Sequence, residues 1–225
     1  MTDEKEYLVT IKDITQITHD VRRFRFDKPN GFKFSPGNAT EVSINKPEWK
    51  NERRPFTFTC LNDEDYLEFT IKIYSDHDGV TNQLGKLKVG DQLIIRDPWG
   101  TIRCEGKGVF IAGGAGITPF IAILRQLKRE NKAEGNILIF ANKTEQDIIL
   151  KDELKSILGD NCIFILSKEK KEGYDFGRVD ENYLKEKVKN FKQNFYICGP
   201  PPMVLSLQKM LPKLGASISS IVFEK

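Results

Sequence analysis

The chain changes its hydrophobic rhythm near its middle. Up to about residue 100, apolar side chains come in short runs, often at every second position. Residues 66–74 show this most clearly: Leu67, Phe69, Ile71 and Ile73 alternate with Glu68, Thr70 and Lys72. A period of two is that of a half-buried strand. Further strands are predicted over 7–14, 21–26, 40–44 and 55–60. Turn signals separate these runs: Pro29-Asn30-Gly31, Ser35-Pro36-Gly37, Asn62-Asp63-Glu64-Asp65 and Asp76-His77-Asp78-Gly79. Many short strands and one short helix, over 80–87, predict a small antiparallel β-barrel.

After Cys104 short apolar strands alternate with helices. Strands are predicted over 109–112, 137–140, 162–166, 195–198 and 218–223, and helices over 119–129, 147–158, 181–189 and 202–214. In the first helix Phe120, Ile123, Leu124 and Leu127 fall at helical spacing. This alternation implies an α/β doubly wound parallel sheet with helices on both faces. The boundary is expected near residues 103–107, giving domains 1–104 and 105–225. A chain of 225 residues suits two small domains.

Composition narrows the classes. The 35 basic and 32 acidic residues leave a net charge of +3, too balanced to argue for nucleic-acid or membrane partners. Cys60, Cys104, Cys162 and Cys198 stand far apart, with no CxxC pair to hold zinc or an iron–sulfur cluster, so no metal is expected. Met1-Thr2-Asp3-Glu4-Lys5-Glu6 lacks the apolar segment of a signal peptide, and no apolar run approaches the ~18 residues of a membrane span. The expectation is a reduced, cytoplasmic protein, working as a monomer.

Three segments carry the chemistry. Arg54-Pro55-Phe56-Thr57-Phe58 lies on a predicted strand; Gly113-Gly114-Ala115-Gly116-Ile117-Thr118-Pro119 links a strand to a helix; Cys198-Gly199-Pro200-Pro201-Pro202-Met203 follows another strand. The glycine loop departs from the usual dinucleotide fingerprint. Pro119 replaces the third glycine, and no acid closes the next strand, which ends Ile139-Phe140-Ala141-Asn142. An ordinary dehydrogenase is disfavoured. In their order and separation the three segments resemble the ferredoxin–NADP reductase superfamily, over essentially the whole chain. In that family a flavin-binding barrel precedes a nicotinamide-binding domain.

The resemblance implies roles for particular residues. Arg54 would pair with a flavin phosphate, since a guanidinium fork suits that geometry. Phe56 would lie against the isoalloxazine, with Pro55 beside it, and the Thr57 hydroxyl would reach the reactive edge. The family usually writes Arg-x-Tyr-Ser here; Phe56 gives up a hydrogen bond and keeps the stacking surface, and Thr57 keeps the hydroxyl. Gly79, Val80 and Thr81 resemble a second flavin segment, with helix N–H groups for phosphate. The backbone of Ile71, Lys72 and Ile73 would pass the adenylate half, which His77 could also reach; His19 reads as a surface residue. On the nicotinamide side Gly114, Gly116, Thr118 and Pro119 would meet the dinucleotide. Cys198, with Gly199 and Pro200, would orient the nicotinamide at the point of hydride transfer. Phe223 is placed either to cover the flavin or to end the core. Ser167 and Lys168, with help from Arg178, lean the reading toward NADPH, with NADH open.

The expected function is a flavin-dependent NAD(P)H oxidoreductase using FAD rather than FMN. It would pass a hydride from NADPH or NADH to FAD and single electrons to flavodoxin or ferredoxin. Lys33, Lys46, Lys50 and Arg53 are candidates for steering such an acidic carrier. The alternatives are an NADH-dependent reductase component for an oxygenase or cytochrome, and an electron-transfer subunit active only in a larger complex.

Overall fold

The computed structural model describes residues 5–100 and 102–223. Residues 1–4, which begin the charged N-terminal segment, lie outside the described residues, as do 224–225. The chain divides into two compact units, Met1–Thr101 and Ile102–Lys225.

The first unit contains β1 (Glu6–Thr18), β2 (Val21–Asp27), β3 (Asn38–Ile44), β4 (Arg54–Thr57), β5 (Tyr66–Lys72), the short helix α1 (Val80–Leu84), β6 (Gln92–Arg96) and β7 (Trp99–Gly100). The strands follow the order β4-β3-β6-β1-β2-β5, all antiparallel, and β7 adds to β3. A bridge between Phe58 and Phe69, with the Thr59 N–H donating to the Glu68 carbonyl at 2.9 Å, brings the two ends of this path together. The result is a nearly closed barrel. Its core is aromatic: Phe58 stacks on Phe34 at 4.4 Å and lies 5.1 Å from Phe69.

Three differences from the hydrophobic pattern have physical causes. β1 is longer than expected, because its first part pairs with β6 and its second with β2, and register shifts near Ile11 and Gln16 break the alternation. β6 escapes the pattern because Leu93, Ile94, Ile95 and Arg96 are all buried. β5 is not half-buried: Glu68 and Thr70, on the face opposite Phe69, are covered as well. The Glu68 carboxylate accepts from Arg25 Nε at 2.9 Å and from Thr59 Oγ1 at 2.9 Å. Paired in this way, a charge can be buried that would otherwise be expelled.

The second unit contains β8 (Gly108–Gly113), α2 (Thr118–Arg129), β9 (Ile137–Asn142), α3 (Lys151–Leu158), β10 (Cys162–Leu166), β11 (Asp175–Phe176), α4 (Glu181–Lys187), β12 (Asn194–Cys198), α5 (Pro201–Lys213) and β13 (Ile221–Phe223). All neighbours are parallel, in the order β11-β10-β9-β8-β12-β13. Val109, Ile111, Ile139, Ile165, Phe195 and Ile197 pack against Leu184, Leu207 and Leu211 of α4 and α5. On the opposite face Phe110 meets Phe120 of α2 edge-on at 5.2 Å. The helix expected from residue 147 begins only at Lys151, because a 3-10 turn at Glu145–Asp147 and a left-handed Leu150 (φ 51°) precede it. The strand expected from 218 is likewise shortened by a 3-10 turn at Ile218–Ser220. Among the described residues no helix is long and apolar enough to cross a membrane.

Candidate functional site

The topology of the second unit selects one place on its sheet. From β8 the chain builds outward through β9, β10 and β11, then returns to the other flank of β8 as β12. Connections after β8 and β12 therefore part in opposite directions, and such a switch point opens a crevice at the carboxyl ends of the strands. The glycine loop and the Cys198 loop occupy that point. Cys198 is buried and pairs with Ala112 in the ladder.

The two loops interlock. A Cβ on Gly116 would lie 2.3 Å from the Cys198 carbonyl oxygen and 2.6 Å from the Gly199 Cα. One on Gly113 would strike Pro200 Cδ at 2.8 Å and Met203 Sδ at 2.9 Å. Gly116 thus owes its place to backbone packing, a reason that the motif alone does not reveal. Gly114 is different: it is left-handed (φ 51°), and its missing Cβ would face open space. The Thr118 hydroxyl donates to the Ala115 carbonyl at 3.0 Å, and Pro119 sits in the first turn of α2, where it displaces no helical bond. No side chain caps that turn, and no acid lies in it. Pro200 caps α5, and Met203 N–H donates to its carbonyl at 2.9 Å. An oriented, anion-tolerant crevice of this kind suits a dinucleotide diphosphate.

Farther along the sheet edge, Ser167 N–H donates to the Asn142 carbonyl at 3.0 Å and Lys168 N–H to the Lys143 carbonyl at 2.9 Å. Ser167 and Lys168 are exposed, as is Arg178. Two neighbouring cations, Lys151 and Lys171, are already committed. Glu145 accepts from Lys151 at 2.7 Å, from Lys171 and from the Tyr174 hydroxyl, while its own N–H donates to Glu169 at 2.7 Å. Hydrogen bonds from Lys151, Lys171 and Tyr174 hold the Glu145 carboxyl down to about 2. An acid therefore does stand just past the end of β9, although the strand itself ends in Asn142. Phe176, 52% exposed and paired in register with Leu166, adds an aromatic surface beside Ser167. Sequence reasoning missed it; the cue was an aromatic two residues from Tyr174 with no hydrophobic period to bury it.

In the barrel the Arg54 side chain is 53% exposed, and its partners among the described residues are Glu52 at 4.0 Å and the Arg53 carbonyl at 2.6 Å. Its guanidinium can accept a phosphate. Phe56 is half-buried, 6.2 Å from Phe69, so part of its ring is committed inward. Strand alternation puts Arg54 and Phe56 on one face and Pro55 and Thr57 on the other. Thr57 is 7% exposed, and its hydroxyl finds no hydrogen-bond partner among the described residues. Gly79 precedes α1 without a capping side chain, Val80 is buried in the core, and Thr81 opens the helix. These groups fit a flavin dinucleotide. Two neighbours are engaged elsewhere: Lys72 Nζ lies 2.6 Å from Asp20, and Ile73 N–H donates to the Asp20 carbonyl at 2.7 Å. The Ile71 side chain is core. His77 is exposed and bonds Asp76 at 2.8 Å. Phe223 ends β13 and packs against the core of the second unit.

Comparison with known proteins identifies both halves of the chain. The family described as Oxidoreductase FAD-binding domain matches residues 8–104, and Oxidoreductase NAD-binding domain matches 110–209. NADH-cytochrome b5 reductase 1 of Rattus norvegicus is 31% identical, with 96% of this chain and 84% of that protein covered. Its counterpart from Aspergillus terreus is 30% identical, with 91% and 76% covered. Among solved structures, a ferredoxin NADP+ reductase from Neisseria gonorrhoeae with bound FAD and NADP aligns at a TM-score of 0.84 and 20% identity, covering 98% of both chains. The FAD/NAD-binding domain of a nitric oxide dioxygenase from Vibrio cholerae gives 0.85 and 20%, over 96% and 97%. At these identities the structural likeness is one of fold.

Proposed function

The chain belongs to the ferredoxin–NADP reductase superfamily of FAD-dependent NAD(P)H oxidoreductases, and on that premise we propose that it oxidises NADH and reduces a haem protein of the cytochrome b5 kind. The observation that carries this reading is the likeness, along nearly the whole chain, to proteins named NADH-cytochrome b5 reductases. Bound FAD supplies a hydride acceptor that can release electrons singly. The chain's own residues hold and orient. Arg54 takes a flavin phosphate, and Thr57 offers its hydroxyl to the reactive edge. The Gly116–Cys198 interlock fixes the floor on which the nicotinamide lies.

NADH is favoured over NADPH by the state of the cations. Lys151 and Lys171 share the carboxylate of Glu145, and Glu169 sits in the same pair of loops. A 2′-phosphate there would meet two carboxylates beside Ser167 and Lys168. The similarity to ferredoxin reductase is of fold and does not specify an acceptor. Of the proposed steering residues, Arg53 is paired with Glu41 at 3.2 Å, while Lys33, Lys46 and Lys50 are exposed.

The test is an anaerobic titration of the flavin-loaded protein, followed by acceptor assays. NADH should bleach the flavin at least tenfold faster than NADPH, and cytochrome b5 should then be reduced faster than flavodoxin or ferredoxin. Faster bleaching by NADPH, or a preference for ferredoxin, would reverse the donor or the acceptor assignment respectively. Protein that takes up no flavin would remove the Arg54 and Gly79 roles.

A further inference from the structure

Asn142 closes β9 and is 93% buried by its 7% exposure. Its backbone carbonyl is used twice, by Ser167 N–H at 3.0 Å and the Ser167 hydroxyl at 3.3 Å. Its side chain is not used at all. Among the described residues, Asn142 has both side-chain polar atoms buried without a partner. A buried amide left unmet costs on the order of 1–3 kcal/mol, so it calls for an explanation.

The direction of the side chain follows from the ladder. Ile139 and Ala141 pack toward α4 and α5. Leu138, Phe140 and Asn142 therefore point to the opposite face. That face is shared with Phe110 and Ala112 of β8, and Phe110 meets α2 through Phe120. Cys198 belongs to it as well, since Tyr196, two residues earlier, stacks on Phe110 at 4.6 Å. The Gly114–Ile117 turn packs against both β8 and β9. Asn142 thus lies on β9 and Cys198 on β12, flanking β8, on the same face as the turn that opens α2. Its side chain thus lies on the face of the sheet that α2 covers.

We propose that Asn142 is a nucleotide-binding residue, whose amide holds the ADP-ribose half of the pyridine dinucleotide: it donates to a diphosphate oxygen and accepts from a ribose hydroxyl. The proposal rests on the reading of the second unit as a dinucleotide site. In open α/β sheets the strand after the glycine loop ends at the ribose. β9 is that strand, and Asn142 is its last residue. An amide reads a ribose hydroxyl without adding charge beside the diphosphate, which a carboxylate would do.

Asn142→Leu and Asn142→Asp test this in the flavin-loaded, full-length protein. The probes are ADP-ribose, NADH and reduced nicotinamide mononucleotide. Leucine has the same number of side-chain heavy atoms and the same branch point, and it removes the unmet amide. Asn142→Leu should therefore keep or raise the nucleotide-free thermal midpoint. The same variant should weaken ADP-ribose binding about tenfold, the worth of one to two hydrogen bonds. KM for NADH should rise accordingly, while flavin reduction by the mononucleotide stays at the wild-type rate. Asn142→Asp should weaken ADP-ribose at least as much. Unchanged ADP-ribose affinity in either variant, with wild type binding normally, overturns the role of Asn142 alone; this includes a leucine variant that loses only stability, as expected of an amide met by internal water. If Asn142→Leu fails to fold, Asn142→Asp decides. Wild type that binds none of the probes removes the dinucleotide reading and this proposal together.

Discussion

The barrel offers its ligand-facing groups as side chains on β4, with Arg54 half exposed and the Thr57 hydroxyl unbonded among the described residues, whereas the parallel sheet offers backbone folded against backbone. A side-chain site can be altered one group at a time. An interlock such as Gly116 against Cys198–Gly199 has no spare volume, so one added carbon displaces both loops. Carboxylates divide in the same manner. Glu68 is wholly buried on the face of the barrel wall opposite Phe69, bonded to Arg25 and Thr59, while Glu145 sits at the rim of the sheet, held by two lysines and a tyrosine. Strength of tethering and depth of burial are separate properties, and they have different consequences for stability.

The largest effect is expected at Glu68. Glu68→Ala opens a void beneath the partly exposed Arg25 and takes the carboxylate from the buried Thr59 hydroxyl, and should cost about 2–4 kcal/mol, read by denaturant unfolding. A loss below about 1 kcal/mol would mean that the barrel tolerates its buried charge no better than the rim does. Next, Gly116→Ala should slow flavin reduction by NADH about 10²-fold, because misplacement near 1 Å has that cost. Flavin affinity should be unchanged, since no barrel residue moves. Arg54→Ala should do the reverse, weakening FAD about tenfold or more through loss of a charge-assisted bond, with Arg54→Lys recovering part. Fluorescence titration of released flavin reads it.

Acid should then separate the two carboxylates. The Glu145 carboxyl lies well below its ordinary value in the folded chain, at about 2 against 4.5. Its contribution to stability is therefore complete above about 4.5 and is lost as pH falls toward 2. Glu145→Gln should flatten the acid limb of the stability curve in that window, and an unaltered limb would show that the lysine contacts are idle. The smallest effect is expected at Gly79. Its φ is −114°, and an added Cβ would meet only the end of the His77 ring, at 3.0 Å. Gly79→Ala should change stability by less than about 0.5 kcal/mol.

Much of this was legible in the chain. The alternation at Leu67, Phe69 and Ile71 marked β5, and the glycines with Thr118 and Pro119 marked the strand-to-helix turn, because local chemistry dictates both. Glu68 misled, since a polar residue in an alternating strand reads as solvent-facing until Arg25 on β2 is paired with it. β7 and β11, of two residues each, carry no period; their partners on β3 and β10 define them. Glu145 was hidden for a similar reason. Its ligands Lys151, Lys171 and Tyr174 come from separate segments, and only the fold assembles them. Asn142 appeared in the sequence only as the absence of an acid. Its unmet amide is a property of packing.

The position of β8 between β9 and β12 also bears on synthesis. As the chain emerges, β8, β9 and β10 can pair long before β12 exists. Until then β8 presents an open, fully apolar edge, the kind of surface that recruits other chains. Half of the interlock is missing over the same interval, so nucleotide cannot protect the nascent unit. A chain stopped before Asn194 should aggregate regardless of added NADH, whereas one that includes α5 should be rescued by it; equal solubility of the two would refute this order of assembly.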